Sequence, residues 1–150
     1  SDPIWMIYAM GLRNKMHVIA KESVLKVPVL GPLLRALGTI PLDRGKSDLQ
    51  AVKRSLEYLK NGEKLGVFPE GTRVREGEKI TVKSGFVRMA ERANAPLLPM
   101  YIQKRKLFLK RSHVFIGEPF YVNPERTKIP SSDYDSIAED MMLKVLELKP

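Results

Sequence analysis

The sequence predicts an α/β fold with a largely parallel central sheet packed by helices, and three observations carry that reading. Short apolar runs of strand length recur at residues 16–20, 39–42, 65–68, 96–102 and 114–117. Segments of helical periodicity separate most of them, which is the pattern of βαβ units. Two of the runs lead into charged turns, at Asp43-Arg44 and at Pro69-Glu70-Gly71. In α/β proteins, ligands sit at such strand exits. The length of 150 residues suits one domain able to bury a real core.

Each element has a local reason. Asp2 can cap a first helix, with Pro3 at its first position, running to about Leu12. Residues 16–20 follow as a strand. Residues 22–37 read as two short helical pieces, broken by Pro28 and again by Gly31-Pro32. After the strand at 39–42, Ser47-Asp48-Leu49-Gln50 has the pattern of a capping box. Behind it Leu49, Val52, Leu56 and Leu59 recur at helical spacing up to the stop signal Asn61-Gly62. The strand at 65–68 leads into a charged loop to about Thr81. Residues 84–93 read as a helix and 96–102 as a strand, with a further strand at 114–117. The polar segment 123–132, with two prolines, reads as a connection to a terminal helix at 134–148. Ile137, Met141, Val145 and Leu148 mark one face of that helix.

Composition narrows the function. The chain has no cysteine, which excludes a disulfide framework, a thiolate nucleophile and a Cys-based metal site. No signal peptide is visible. No run reaches the roughly 18 apolar residues of a membrane span. The net charge of +9 favours phosphate-bearing partners, whether nucleic acid or anionic lipid, although solubility alone would also use it. No RNP-type aromatic strand, paired metal ligands or GxxG loop points to nucleic acid, so a lipid surface is the better partner. Residues 103–111 add five cations around a Leu-Phe-Leu centre. That segment suits either a membrane surface or a basic loop between strand ends.

The most specific motif is Phe68-Pro69-Glu70-Gly71-Thr72-Arg73, which fixes a carboxylate and a guanidinium where a strand ends. Two readings fit it alone: a turn closed by a surface ion pair, or an arginine fork that holds a phosphate by two charge-assisted hydrogen bonds. Further blocks accompany it: residues 20–24, 27–31 and 38–44, then Lys83-Ser84-Gly85 and Leu98-Pro99-Met100. In this order and spacing, over residues 1–120 or so, the chain resembles the glycerophospholipid acyltransferase family.

The resemblance implies an acyltransferase domain and a set of site residues. The family's first motif is Asn-His-x-x-x-x-Asp, often followed by Pro-Ile, and Ser1-Asp2-Pro3-Ile4 matches its end. Asp2 then takes the role of the carboxylate that orients the catalytic histidine, a role compatible with capping a helix. The histidine itself falls ahead of residue 1, which implies a domain truncated within its first motif. His17 and His113 stand in the wrong context to replace it. Arg73 is assigned to the acceptor's phosphate, with Arg44 and Lys21 beside it. Glu70, Gly71 and Thr72 complete the turn. Gly71 lets the backbone approach the ligand, or serves a positive-φ turn. Lys83 opens a helix whose positive end favours an anion, or is an ordinary helix start.

The implied reaction moves an acyl group from an acyl-carrier protein or CoA thioester to the free hydroxyl of 1-acyl-glycerol 3-phosphate, giving phosphatidic acid. The thioester is a co-substrate; no cofactor or metal is implied. The implied location is an anionic membrane surface on its cytoplasmic face. Two alternatives stay open: another lysolipid or amino-lipid acceptor, or a non-catalytic lipid- or phosphate-binding domain.

Overall fold

The computed structural model describes residues 16–28, 30–36, 38–42, 49–69, 82–103 and 113–150. The chain divides into two compact units, one of residues 10–67 and one of residues 1–9 with 68–150.

The first unit is built on three strands. β1 (Met16–Lys21) lies between β2 (Ile40–Leu42) and β3 (Lys64–Gly66), and both pairings are parallel. Ile19 pairs with Ile40 and Lys21 with Leu42, while Met16 pairs with Lys64 and Val18 with Gly66. The expected parallel sheet is therefore present. Parallel strands need crossovers, and helices supply them. A 3₁₀ helix (Glu22–Lys26) and α1 (Leu30–Ala36) link β1 to β2, and α2 (Leu49–Lys60) links β2 to β3. Pro41 has no N–H to give to a ladder, and it sits in β2, an edge strand among the described residues. Met16, Val18, Leu25, Leu34, Ile40 and Ala51 form this unit's core.

Two expectations are corrected here. The second helical piece does not break at Gly31-Pro32; α1 runs through both residues, and the turn falls at Val27-Pro28. Pro32 stands in the first turn, where its missing N–H would have had no intrahelical partner. On α2, Leu49 is 77% exposed, and the fully buried positions are Ala51 and Ser55. Ser55 is tolerated there because its hydroxyl donates to the Ala51 carbonyl at 2.8 Å. Small residues let the helix approach closely, while Val52, Leu56 and Leu59 are half-buried. Leu49→Gln is accordingly expected to change unfolding free energy by less than about 0.5 kcal/mol, as measured by urea denaturation.

In the second unit, α3 (Gly85–Ala93) packs against α4 (Asp133–Glu147). Phe86, Val87, Met89 and Ala90 are buried on α3, and Tyr134, Ala138, Met141 and Met142 on α4. The buried stripe of α4 thus includes Met141, as expected, but centres one position away from Ile137, which is half-buried. Arg88 caps this contact, its guanidinium 4.0 Å from the centre of the Tyr134 ring. Asn94 ends α3 in the left-handed conformation, at φ 48°, and its N–H reaches the Ala90 and Glu91 carbonyls. β4 (Met100–Ile102) and β5 (Val114–Ile116) pair antiparallel, and the ladder continues to a Leu97–Phe120 bridge. The segment 123–132 is held locally: Asn123 donates to the Thr127 carbonyl at 2.7 Å and accepts from the Thr127 N–H at 3.1 Å.

Candidate functional site

Because β1, β2 and β3 are parallel, their C-terminal ends share one edge of the first unit's sheet. Ligand-binding groups in open α/β sheets cluster outside that edge. The backbone of Lys21 lies there, closing β1 opposite Leu42. Asp43 and Arg44 are the next residues after β2. Asp2, Arg44, Glu70, Gly71, Thr72 and Arg73 lie outside the described residues, as do the first helix and the basic residues of the 103–111 segment.

In the second unit, one backbone hydrogen bond joins two of the motif blocks. The Lys83 N–H donates to the Pro69 carbonyl at 3.1 Å. The start of the Phe68–Arg73 motif and the Lys83-Ser84-Gly85 block are thereby neighbours in space, although far apart in sequence. Lys83 is exposed, Ser84 takes the N-cap position without a side-chain cap bond, and Gly85 opens α3. The Val87 and Arg88 N–H groups turn back to the Ser84 carbonyl, at 3.0 and 3.3 Å, and the cap side chain takes none of the first-turn donors.

The two histidines are placed by the structure, and neither forms a base-and-orienter pair at the strand exits. His17 sits near the start of β1, its side chain mostly buried. Its Nδ1–H donates to the Gly38 carbonyl at 2.9 Å, and its Nε2 lies 2.5 Å from Glu63 Oε2. The ring stacks on Tyr58 with centroids 3.7 Å apart and planes 6° from parallel. Both nitrogens are thus taken up in tying β1 to the entries of β2 and β3. Gly38 makes this possible: its φ is +70°, and a Cβ there would run into the imidazole. His113 is exposed just before β5, its ring 6.4 Å from that of Phe115.

Among the described residues, no group of three or more His, Cys, Asp or Glu is arranged to hold a metal ion. Among the same residues, no helix is long and apolar enough to cross a membrane. The sequence reading missed the His17–Glu63–Tyr58 arrangement. Its members lie on β1, on α2 and in the turn before β3, and share no spacing that a motif could reveal.

Comparison with known proteins agrees with this layout. A family model described as Acyltransferase matches residues 1–103. The 1-acyl-sn-glycerol-3-phosphate acyltransferase of Borreliella burgdorferi is 28% identical over 97% of this chain and 62% of its own length. The protein of the same name from Bacillus subtilis is 29% identical over 92% of this chain and 71% of its own. The crystal structure of the 1-acyl-sn-glycerophosphate (LPA) acyltransferase, PlsC, from Thermotoga maritima aligns with a TM-score of 0.65 at 26% identity. That alignment covers 90% of this chain and 57% of the other, so the chain spans roughly three fifths to seven tenths of the length of these relatives. A family match running from residue 1 through the β4 strand, over the α/β layout described, means that the chain belongs to the acyltransferase family.

Proposed function

We propose that the protein transfers an acyl group from a thioester to the free hydroxyl of 1-acyl-glycerol 3-phosphate, forming phosphatidic acid. The observation that carries this reading is the family match over residues 1–103, which includes every assigned site residue. Relatives bearing the name of that activity, aligned over nearly the whole chain, support the choice of acceptor.

The chemistry follows from the groups assigned. A hydroxyl is a poor nucleophile at neutral pH and needs a base within hydrogen-bond reach. The motif ending in Asp2 supplies a histidine as that base, and the Asp2 carboxylate holds its tautomer and stabilises the imidazolium. The acceptor oxygen attacks the thioester carbonyl as the base takes its proton. The tetrahedral intermediate then collapses, breaks the carbon–sulfur bond and releases the thiol with that proton. Arg73 holds the acceptor's phosphate, with Arg44 and Lys21 adding positive charge. Glu70 orients Arg73, Gly71 and Thr72 shape the turn, and Lys83 adds a cation at the entry of α3. The donor is an acyl-carrier protein or CoA thioester, and the basic chain works at an anionic membrane surface on its cytoplasmic face.

The test is Arg73→Lys in the active enzyme. An ammonium cannot reproduce the two-pronged guanidinium–phosphate contact. The expected result is a raised acceptor KM and a loss of at least about tenfold in kcat/KM, or roughly 1.4 kcal/mol of transition-state binding. Near-unchanged kinetics with lysophosphatidic acid would remove Arg73 from the site.

A further inference from the structure

A cleft of about 520 Å³ lies wholly within the first unit, beside the edge strand β2. Glu22 and Lys26 of the 3₁₀ helix, Arg35 of α1, Thr39 before β2, and Arg54 and Tyr58 of α2 give it its polar side chains. Arg54 and Tyr58 are one helical turn apart, so they share a face of α2. Lys26 is partly spent on Glu22, at 3.1 Å. Arg35 and Arg54 are exposed, and neither has an ion-pair partner among the described residues. Thr39 is only 9% exposed, and its Oγ1 is buried with no hydrogen-bond partner among the described residues.

These features have one complement. Buried hydroxyls in folded proteins nearly always find a partner, and an exception calls for a ligand or another explanation. Two guanidinium groups on one cleft from separate helices give it a positive field suited to an anion. Their planar forks match phosphate oxygens. The volume suits a small organic molecule rather than a bare ion.

We propose that this cleft binds a phosphate ester through Arg35, Arg54 and Thr39, residues other than those assigned to the acceptor. The ester belongs to the nucleotide part of a CoA-type donor or to the headgroup of an anionic phospholipid. The inference stands on the cleft alone, so it succeeds or fails independently of the acyl-transfer reading.

The test uses the full chain and two probes. Adenosine 3′,5′-bisphosphate, the nucleotide part of CoA, is expected to raise the thermal unfolding midpoint in a concentration-dependent way. The double variant Arg35→Gln/Arg54→Gln, at exposed positions, is expected to weaken that binding at least about tenfold, since charge-assisted phosphate contacts are the strong ones. Lys53→Gln/Lys60→Gln removes the same charge from exposed positions of α2 outside the cleft and is expected to bind as the parent does. Thr39→Val is expected to raise the midpoint without ligand, by removing an unpartnered hydroxyl, and to weaken binding. If the nucleotide has no effect, co-sedimentation with phosphatidylglycerol vesicles that falls in the double variant and not in the charge-matched control assigns the site to a lipid headgroup. If neither probe distinguishes the double variant from the charge-matched control, the proposal is overturned.

Discussion

Acyl transfer from a thioester to lysophosphatidic acid is expected only when a histidine stands ahead of Asp2 at the motif spacing. A chain that begins at Ser1 should show no transfer above background. An N-terminally extended chain carrying Asn-His at that spacing should exceed it by about 10²–10⁴-fold, the usual contribution of a positioned general base. Changing that histidine to Ala should return the rate to background, because members of one catalytic unit lose most of their joint effect when any is removed. The structure sharpens the expectation. His17 is spent on Gly38 and Glu63 and stacked on Tyr58, so it cannot take over the role. Release of thiol from acyl-CoA, followed with and without acceptor, measures the difference. Transfer by the 150-residue chain as it stands would refute the histidine mechanism, and the role given to Asp2 would fall with it.

Gly31→Ala is expected to be the most damaging of the conservative glycine substitutions. Gly31 lies in the first turn of α1, and its N–H donates to the Val27 carbonyl at 2.8 Å. A Cβ at this position would overlap the carbonyl oxygen and carbon of Leu25. Those are backbone atoms, so no rotamer change relieves the clash. Either α1 or the 3₁₀ helix must move, and Leu25 and Leu34 are core residues on those two elements. Overpacking of this kind costs about 1–3 kcal/mol, and the backbone obstacle places Gly31→Ala at the upper end. Gly85→Ala is the control. Among the described residues nothing lies within 4 Å of a Cβ at Gly85, the first residue of α3, so a change of less than about 0.5 kcal/mol is expected. Urea denaturation of both variants checks the pair. Equal stabilities would mean that α1 does not approach Leu25 as described.

Much of the fold was legible in the sequence, and particular residues show why the remainder was not. The strand at residues 16–20 follows from its apolar run, and the helix from Leu49 to Lys60 from apolar spacing together with its capping-box pattern and its Asn61-Gly62 stop. Spacing names a stripe but not its depth: it puts Leu49 on the inner face, while Ala51 and Ser55 hold the close contact. The sequence marks Pro32 as a breaker because proline breaks helix interiors, and spacing does not show that Pro32 stands in the first turn of α1 instead. The pairing of β4 with β5 could not be read, since a short apolar run does not encode its partner. Of the site, the motif blocks were legible because each is contiguous, and the Pro69–Lys83 hydrogen bond then joins two of them. The cleft beside β2 was invisible in sequence. Lys26, Arg35 and Arg54 come from three elements with no common spacing.

The central place of β1 also governs the order in which the protein can be assembled. Both neighbours of β1 come later in the chain, and β3 follows only after the whole of α2. On a ribosome adding about 5–20 residues per second, Met16–Lys21 is made first and waits seconds for its second partner. Through that interval one side of an apolar strand carries unpaired N–H and C=O groups, a template for pairing with another chain. Non-local parallel pairing is slow for the same reason, because loop closure precedes its reward. Production of the protein is thus most exposed to aggregation between synthesis of β1 and arrival of Lys64–Gly66, a window set by topology rather than by the stability of the finished fold.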